Sequence, residues 1–299
     1  MMKLHVSLDG QDLVFDNGFF PDGAVWTRLL STPALQAETL TLRATAMRNM
    51  DDLMHVAQLL DAVRQQCLLR HCVLELPWLP YARQDRHMQV GDSFALKVFA
   101  SFLNQLRFDR VVVLDPHSDV AAGVVERMVT IPQHRCVTHS PSLMEKLQQG
   151  MMLAAPDAGA LKKIDAVAQQ TGGQDVAILA KQRDVASGAL RGFELLKGDV
   201  RGRDVLIVDD LCDAGGTFIG SAAVLRQAGA RSVSLYVTHG LFSKGVEHLL
   251  TQGIDHIWTT TSLGLHAHQQ VEQIAVETIY QREVYQSAVY QNEGDRHAH

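Results

Sequence analysis

The chain has 299 residues, of which 46% are hydrophobic and 20% charged, a composition typical of a soluble globular protein of one or two domains. The net charge of −6, with no basic block, argues against binding to bulk nucleic acid. Because no apolar run reaches the length of about 18 residues that suggests a membrane span, and the four cysteines are not spaced as metal ligands, we expect a cytoplasmic protein with reduced thiols and no membrane partner.

The first half of the chain alternates between helical and extended patterns. From Asp51 onward, apolar residues recur at spacings of three and four, which predicts an amphipathic helix. The pattern then predicts a strand, a helix and a second strand at residues 72–76, 94–106 and 110–114. Short apolar strands that alternate with helices are typical of a mostly parallel sheet with helices on both faces.

The same alternation continues after a stretch with two prolines at residues 131–142, where we place the domain boundary. Helices are expected at residues 160–170 and 218–228, and strands at residues 176–180, 205–208 and 232–237. We therefore predict an α/β protein with two similar domains, residues 1–136 and 137–290, followed by a disordered tail at residues 291–299.

Polar segments follow two strands of the first half, at the carboxyl ends where open α/β sheets place ligands. Residues 81–86 read YARQDR, and the two arginines suit phosphate oxygens, although such a hexapeptide is also compatible with a solvated loop. In the segment DPHSD, Asp115, His117 and Asp119 occupy alternate positions. This pattern suits a divalent cation or a catalytic cluster, whereas a lone histidine at a strand end is more often structural.

The second half contains two comparable segments. Asp157, in APDAG, lies just before a predicted helix and is either a helix cap or a ligand-binding residue. Lys181 and Arg183 follow a strand and precede residues 184–197, which we interpret as a hairpin or a mobile flap. Cations at the root of such a loop suit phosphoryl transfer, because charge on the transferring group must be stabilised while water is excluded; surface charges are the alternative.

The most informative segment is VLIVDDLCDAGGT, residues 205–217, in which four apolar residues run directly into Asp209 and Asp210. The turn that follows contains Asp213, Ala214, Gly215, Gly216 and Thr217. Glycines let backbone N–H groups approach an anion, and the start of the next helix adds a positive dipole, so the turn is a candidate phosphate site. The two carboxylates suit ribose hydroxyls or a divalent cation.

Taken in this order, the segments resemble those of the ribose-phosphate diphosphokinases, also called phosphoribosylpyrophosphate synthetases, over roughly residues 20–260. The resemblance implies two type I phosphoribosyltransferase-like domains, Mg²⁺ as cofactor, ATP and ribose 5-phosphate as substrates, and a homo-oligomer. The implied reaction transfers diphosphate from ATP to the anomeric hydroxyl of ribose 5-phosphate, giving phosphoribosylpyrophosphate and AMP.

The resemblance also implies a role for individual residues. ATP would contact Phe20, Asp22, Arg83, Gln84, Asp85 and Arg86. Ribose 5-phosphate would contact Asp209, Asp210, Asp213, Ala214, Gly215, Gly216 and Thr217. His117 and Asp157 would bind the metal, and Lys181 and Arg183 would be the catalytic residues. Phe20, taken alone, is equally compatible with a place in the hydrophobic core.

Three positions depart from the usual pattern of the family. Ala24 replaces a glutamate near the adenine, Gln182 replaces an arginine, and Ala214 replaces a threonine of the phosphate loop. The residues implied in diphosphate transfer are nevertheless present. The departures leave two alternatives open, namely the same chemistry on a larger acceptor such as ADP-ribose, or a catalytically inactive regulatory homologue.

Overall fold

The computed structural model describes residues 2–183 and 190–285, without the side chains of residues 181–183, 190 and 191. The chain divides into two compact units, residues 1–131 and 132–299. The boundary expected from the sequence, after residue 136, falls inside a short helix, so the division between the units comes slightly earlier. The expected disordered tail at residues 291–299 lies outside the described residues.

The described residues of unit 1 form eight strands and three helices. In chain order these are β1 (Lys3–Leu8), β2 (Gln11–Asp12), β3 (Phe15–Phe19), β4 (Val25–Leu29), β5 (Gln36–Thr45), α1 (Met50–Arg64), β6 (Leu68–Leu76), α2 (Ala95–Gln105), β7 (Arg110–Leu114), α3 (Val120–Val124) and β8 (Met128–Ile131). Six strands form one sheet in the order β2-β1-β5-β6-β7-β8. Strands β5 to β8 are parallel, β1 and β2 are antiparallel to their neighbours, and β3 and β4 form a separate hairpin.

Helix α1 shows how the sequence determines a local element. The side chain of Asn49 caps the helix by accepting the N–H of Asp52 (3.0 Å). The apolar residues at spacings of three and four, among them Leu53, Val56 and Leu60, are buried in the core of unit 1. The helix predicted from Asp51 onward is therefore confirmed, and it begins one residue earlier.

The described residues of unit 2 form six α-helices and seven strands, besides short 3₁₀ and π-helical turns. In chain order these are α4 (Gln133–Val137), α5 (Pro141–Gln148), β9 (Met152–Ala155), α6 (Leu161–Thr171), β10 (Val176–Arg183), β11 (Leu190–Lys197), β12 (Asp204–Cys212), α7 (Gly216–Gln227), β13 (Ser232–Gly240), α8 (Val246–Leu250), β14 (Ile257–Thr260), β15 (Val271–Ile274) and α9 (Val276–Tyr280). The strands form one sheet in the order β11-β10-β9-β12-β13-β14-β15. Neighbouring strands are parallel, except for the antiparallel pair of β10 and β11.

Strand β12 occupies the middle of this sheet, between β9 and β13. Residues 205–208 are fully buried, as expected for a parallel strand covered on both faces. The strand continues past this apolar run to Cys212, because Asp209 and Leu211 still pair with β13. The two carboxylates therefore lie within the strand, not in the loop after it.

Two properties expected for the whole chain can be compared with the structure. Each of the four cysteines is a buried thiol that forms no disulfide. Burial raises the pKa of Cys72, which disfavours the reactive thiolate. In the part of the chain that the structure describes, no helix combines the length and the apolar character needed to cross a membrane.

Candidate active site

The YARQDR loop of unit 1 begins at Tyr81 in an unusual backbone conformation. Tyr81 has a φ of 61°, in the left-handed region that residues other than glycine rarely adopt. Its ring packs against Phe99 of α2, with 5.4 Å between the ring centroids, and its carbonyl accepts the N–H of Gln84 (2.9 Å). Such strain persists only where the surrounding structure maintains it, so this loop has a defined shape.

The acidic residue of this loop is engaged with its neighbour. Asp85 is buried, and its two carboxylate oxygens accept hydrogen bonds from Nε and an Nη atom of Arg86, at 2.8 and 3.0 Å. Mainly through this pairing, with smaller contributions from Ser118 and His117, the pKa of Asp85 is lowered to about 2 despite the opposing effect of burial. The carboxylate thus orients Arg86, which is exposed on the loop together with Arg83 and Gln84.

The DPHSD segment directly follows β7 and lies beside this loop. Asp115 is buried with a φ of 34°, and its N–H donates to the carbonyl of Ile131 (2.8 Å). His117 and Asp119 are exposed. Because the charge of His117 acts on Asp85, the segments expected to bind ATP and the metal are neighbours within unit 1.

Two more residues expected at the ATP site lie in the turn between β3 and β4. The side chain of Phe20 is 54% exposed, so the alternative that it belongs to the core is wrong. Asp22 accepts the N–H of Ala24 (3.0 Å), and Phe20 donates its own N–H to the carbonyl of Ala24 (2.7 Å). The turn therefore presents an aromatic ring to solvent and uses the Asp22 carboxylate to stabilise its own backbone.

In unit 2, the acid pair of β12 lies in an unfavourable electrostatic environment. The carboxylate of Asp209 accepts the N–H of Asp210 (2.9 Å), and the carbonyl of Asp209 accepts a hydrogen bond from the side chain of Gln133 (2.7 Å). Burial raises the pKa of Asp209 well above its usual range, and the negative charges of Asp210 and Asp157 raise it further. A bound cation or a set of hydroxyl donors would relieve this repulsion.

The turn after β12 leads into α7 without a side-chain cap. Gly215 has a φ of 82°, and a Cβ atom there would lie 2.5 Å from Cδ2 of Leu249, so the position requires glycine. A Cβ atom on Gly216 would meet no atom within 4 Å, which means that the space in front of the helix is open. The N–H of Phe218 donates to the carbonyl of Gly215 (3.0 Å), and the N–H groups before it precede the first possible acceptor of the helix, a geometry that suits a phosphate group.

Residues after β13 support this turn from behind, and sequence reasoning missed them. The N–H groups of Leu241 and Phe242 donate to the carbonyl of Cys212 (2.9 and 3.1 Å), and that of Ser243 donates to the carbonyl of Asp213 (3.2 Å). Phe242 has a φ of 45°, which the tight turn requires. The sequence offered only Gly240 at the end of a buried strand as a signal. A glycine in that place does not distinguish a segment that hydrogen-bonds to a neighbouring turn from any other loop.

Asp157 is a cap, as one of its two interpretations predicted. Its Oδ1 atom accepts the N–H groups of Gly159 (2.9 Å) and Ala160 (3.3 Å), at the start of a short 3₁₀ helix. Its charge also raises the pKa of Asp209, so Asp157 lies close to the acid pair. Within unit 2, the structure therefore places Asp157, one of the two expected metal ligands, near the acid pair, whereas His117, the other, belongs to unit 1.

The two residues expected to be catalytic are described only by their backbone. Lys181 and Arg183 lie in β10, and their side chains are outside the described part of the chain, as are residues 184–189. Strands β10 and β11 pair antiparallel, so the interpretation of this segment as a hairpin is confirmed for its described residues. Lys181 lies opposite Phe193 in this pairing.

Known proteins similar to this chain belong to the family that its polar segments resemble. Residues 193–290 match the model of the phosphoribosyl synthetase-associated domain. A ribose-phosphate pyrophosphokinase of Vibrio parahaemolyticus is 31% identical over 252 residues, which cover 82% of this chain and 77% of that protein. The corresponding protein of Shewanella oneidensis is 32% identical over 254 residues, with coverage of 83% and 78%. The chain belongs to the ribose-phosphate pyrophosphokinase family, which is a family of enzymes.

A solved structure confirms the fold expected for this family. Phosphoribosylpyrophosphate synthetase from Mycobacterium smegmatis aligns with a TM-score of 0.76 at 21% identity, covering 95% of this chain and 93% of that one. Both have mostly parallel sheets flanked by helices, and the prediction of two phosphoribosyltransferase-like domains is confirmed.

The pairing of Asp85 with Arg86 leads to a testable prediction about the YARQDR loop, residues 81–86. The substitution Arg86→Ala should raise the pKa of Asp85 from about 2, because hydrogen bonds from Arg86 are the main cause of its depression. Since the pKa is lower in the folded state, the pairing stabilises the fold above about pH 4 and loses its effect as the pH falls toward about 2. Carboxyl ¹³C NMR titration measures the shift.

Asp204 provides a matched control for this titration, because Arg231 lowers its pKa to about 2 in the same way in the other unit. The pKa of Asp204 should be unchanged in Arg86→Ala and should rise in Arg231→Ala. If the pKa of Asp85 stays near 2 without Arg86, the pairing does not orient the arginine.

Proposed function

We propose that this protein is a Mg²⁺-dependent ribose-phosphate diphosphokinase, which transfers diphosphate from ATP to ribose 5-phosphate and releases phosphoribosylpyrophosphate and AMP. Its relatives are named ribose-phosphate pyrophosphokinases, which supports this reaction class. The structural observation that carries the proposal is the uncapped, glycine-lined start of α7 directly beyond the carboxylates of β12. This combination fits a phosphate and the hydroxyls of a sugar side by side.

We assign the acceptor to unit 2. Its 5-phosphate would accept hydrogen bonds from backbone N–H groups of residues 213–217 and from the hydroxyl of Thr217. The ribose hydroxyls would donate to Asp209 and Asp210; burial and the neighbouring charge of Asp210 raise the pKa of Asp209. We call residues 213–217 the phosphate cradle. Ala214 supplies a backbone N–H and no hydroxyl, so the cradle would bind phosphate mainly through main-chain N–H groups.

We assign ATP to unit 1. The exposed side chains of Arg83, Gln84 and Arg86 offer hydrogen-bond donors to phosphate oxygens, and the Asp85 carboxylate maintains the orientation of Arg86. The exposed ring of Phe20 offers an aromatic face for the adenine, on a turn that Asp22 stabilises.

The donor set fits a magnesium ion that is shared with substrate. In the described ranges, no three His, Cys, Asp or Glu side chains form a group that could hold a metal ion by themselves. Mg²⁺ commonly takes only one or two protein ligands and completes its shell with water and substrate phosphates. We assign His117 of unit 1 and Asp157 of unit 2 each as a protein ligand of Mg²⁺, which would neutralise negative charge on substrate phosphates.

In the proposed reaction, the anomeric oxygen of ribose 5-phosphate forms a bond to the β-phosphorus of ATP. The bond between that phosphorus and the oxygen bridging to the α-phosphate breaks, AMP leaves, and the hydroxyl proton passes to solvent. Lys181 and Arg183 would stabilise the negative charge of the diphosphate as it transfers. Positioning and electrostatic stabilisation suffice for such a transfer, so no covalent enzyme intermediate is needed.

The nucleotide product tests the reaction class. Incubation of the pure protein with Mg-ATP and ribose 5-phosphate should yield AMP in an amount equal to the phosphoribosylpyrophosphate formed, as measured by ion-exchange chromatography. ADP-ribose serves as the second acceptor, because its terminal ribose also offers an anomeric hydroxyl. Faster AMP release with ADP-ribose would reassign the acceptor, ADP as the product would reject diphosphate transfer, and no turnover with either would favour an inactive homologue.

The roles of the two β10 residues can be tested separately. Lys181→Ala and Arg183→Ala should each lower kcat by about 100-fold or more, with little change in the KM for ATP, because their charges act mainly on the transition state. Lys197→Ala, in the paired strand, is the control and should leave kcat unchanged, since Lys197 is exposed and opposite Ile178. Variants that retain nearly full kcat would remove both residues from the catalytic step.

The assignment of the two substrates to the two units gives a further prediction. Asp213→Asn should raise the KM for ribose 5-phosphate by about tenfold, because an amide oxygen accepts a hydrogen bond from a sugar hydroxyl more weakly than the Asp213 carboxylate would, and it should leave the KM for ATP nearly unchanged. Asp199→Asn, an exposed position in the same unit, is the matched control. The opposite pattern, with only the KM for ATP affected, would show that the sites are exchanged.

A further inference from the structure

Helix α7 approaches β11 so closely that one of its residues has no room for a side chain. A Cβ atom on Gly220 would lie less than 3.0 Å from the Cε2, Cδ2 and Cζ atoms of Phe193. The ring of Phe193 therefore rests directly against the backbone of the helix, and the two elements pack together. Glycine is a poor helix former, so this close approach explains its presence inside α7.

The same phenylalanine is paired with the strand that carries the catalytic residues. Phe193 lies opposite Lys181 in the antiparallel pairing of β10 and β11. Two residues along β11, Leu195 packs against the hydrophobic core of unit 2 and lies opposite the buried Leu179. The described part of the hairpin is thus attached to the core next to Phe193, at the level of Lys181.

Gly220, the partner of Phe193 in this contact, belongs to the helix that begins at the phosphate cradle. Helix α7 begins at Gly216, and Gly220 lies four residues later, about one helical turn from the N–H groups of the cradle. The helix is rigid over such a distance, so a displacement of Gly220 relative to β11 is also a displacement of the cradle. One ring therefore lies between the element that would bind the acceptor phosphate and the strand that carries Lys181.

We propose that Phe193 is a positioning residue, whose packing on Gly220 sets the distance between the acceptor cradle and the β10–β11 hairpin. The inference rests on the proposed function, because it takes Lys181 as a residue that acts on the transferring group. Phe193 itself touches neither substrate. It acts by holding two elements at a spacing that the transfer requires, and small misplacements of reacting groups reduce rates strongly.

Three variants test the contact by kinetics. Gly220→Ala forces the ring away and should lower kcat at least about tenfold with little change in the KM for ATP. Phe193→Leu provides a shorter side chain and should lower kcat by no more than about threefold, because a buried apolar contact is retained. In the double variant Gly220→Ala/Phe193→Leu, the leucine leaves room for the new methyl group, and kcat should recover to about the level of Phe193→Leu alone.

Gly192→Ala is the matched control, since Gly192 precedes Phe193 in β11 and a Cβ atom there would meet no atom within 4 Å. Its kcat should equal that of the wild type. If the double variant is as slow as Gly220→Ala, or if Gly192→Ala is equally slow, the contact does not set the rate. Thermal unfolding of each variant separates loss of folded protein from loss of positioning.

A second measurement needs no turnover and therefore distinguishes this inference from the proposed function. Addition of ribose 5-phosphate to the wild type should slow amide hydrogen exchange in residues 190–197, because the contact transmits ordering of the cradle to the hairpin. Gly220→Ala should abolish this protection, and Gly192→Ala should retain it. Protection that persists in Gly220→Ala would overturn the inference, whereas a wild type that shows the protection but forms no AMP would overturn only the proposed function.

Discussion

The repulsion between carboxylates at the end of β12 is the constraint on which the arrangement of unit 2 depends. A parallel strand that is buried on both faces carries Asp209 and Asp210 into a poorly solvated edge, where Asp157 adds a third negative charge nearby. Burial of a carboxylate close to others of the same charge costs free energy. Strands β9 and β13 pair with β12 on either side and hold this arrangement in place. A ligand that supplies hydrogen-bond donors or positive charge would relieve the repulsion.

In unit 1, the loops at the carboxyl ends of the parallel strands carry exposed basic and amide side chains. The loops after β6 and β7 hold Tyr81 and Asp115 in left-handed backbone conformations, which shape the loops without help from glycine. One carboxylate of this edge is neutralised locally, since Asp85 is paired with Arg86. The edge of unit 1 thus exposes the side chains of Arg83, Gln84 and Arg86, whereas the edge of unit 2 carries the acid pair of β12. This difference suits ligands with different polar groups.

Sequence reasoning was most successful where one physical cause determines the pattern. The 3.6-residue period of α1 and the uninterrupted apolar run of β12 both reflect burial, and both elements were found. It failed for the ten-residue strand β5, which was not predicted. Strand β5 contains Glu38 and Arg43 among its apolar residues, and Arg43 is accommodated by an ion pair with the buried Glu75 of β6. That pairing depends on strand register, which the sequence does not reveal.

In the candidate site too, features that lie within one short segment were predicted, whereas contacts between residues far apart in the sequence were not. The order of the polar segments identified the family, and the glycine-containing turn before α7 was expected from the sequence; its role in phosphate binding stays a prediction. The roles of individual carboxylates were less predictable, because Asp22, Asp85 and Asp157 accept hydrogen bonds from their own turns. Contacts between distant residues, such as those of Phe242 with Cys212 and of Phe193 with Gly220, leave no periodic signal in the sequence.

The position of β11 at the end of the sheet has a consequence for how related chains can diverge. Its hydrogen-bonded neighbour is β10, so the connection between residues 183 and 190 joins the edge strand to the strand next to it. The entropic cost of a longer connection grows only slowly with its length, and an insertion there leaves the register of β9, β12 and β13 unchanged. Related chains can therefore differ in the length of this connection while the rest of the sheet is inherited intact.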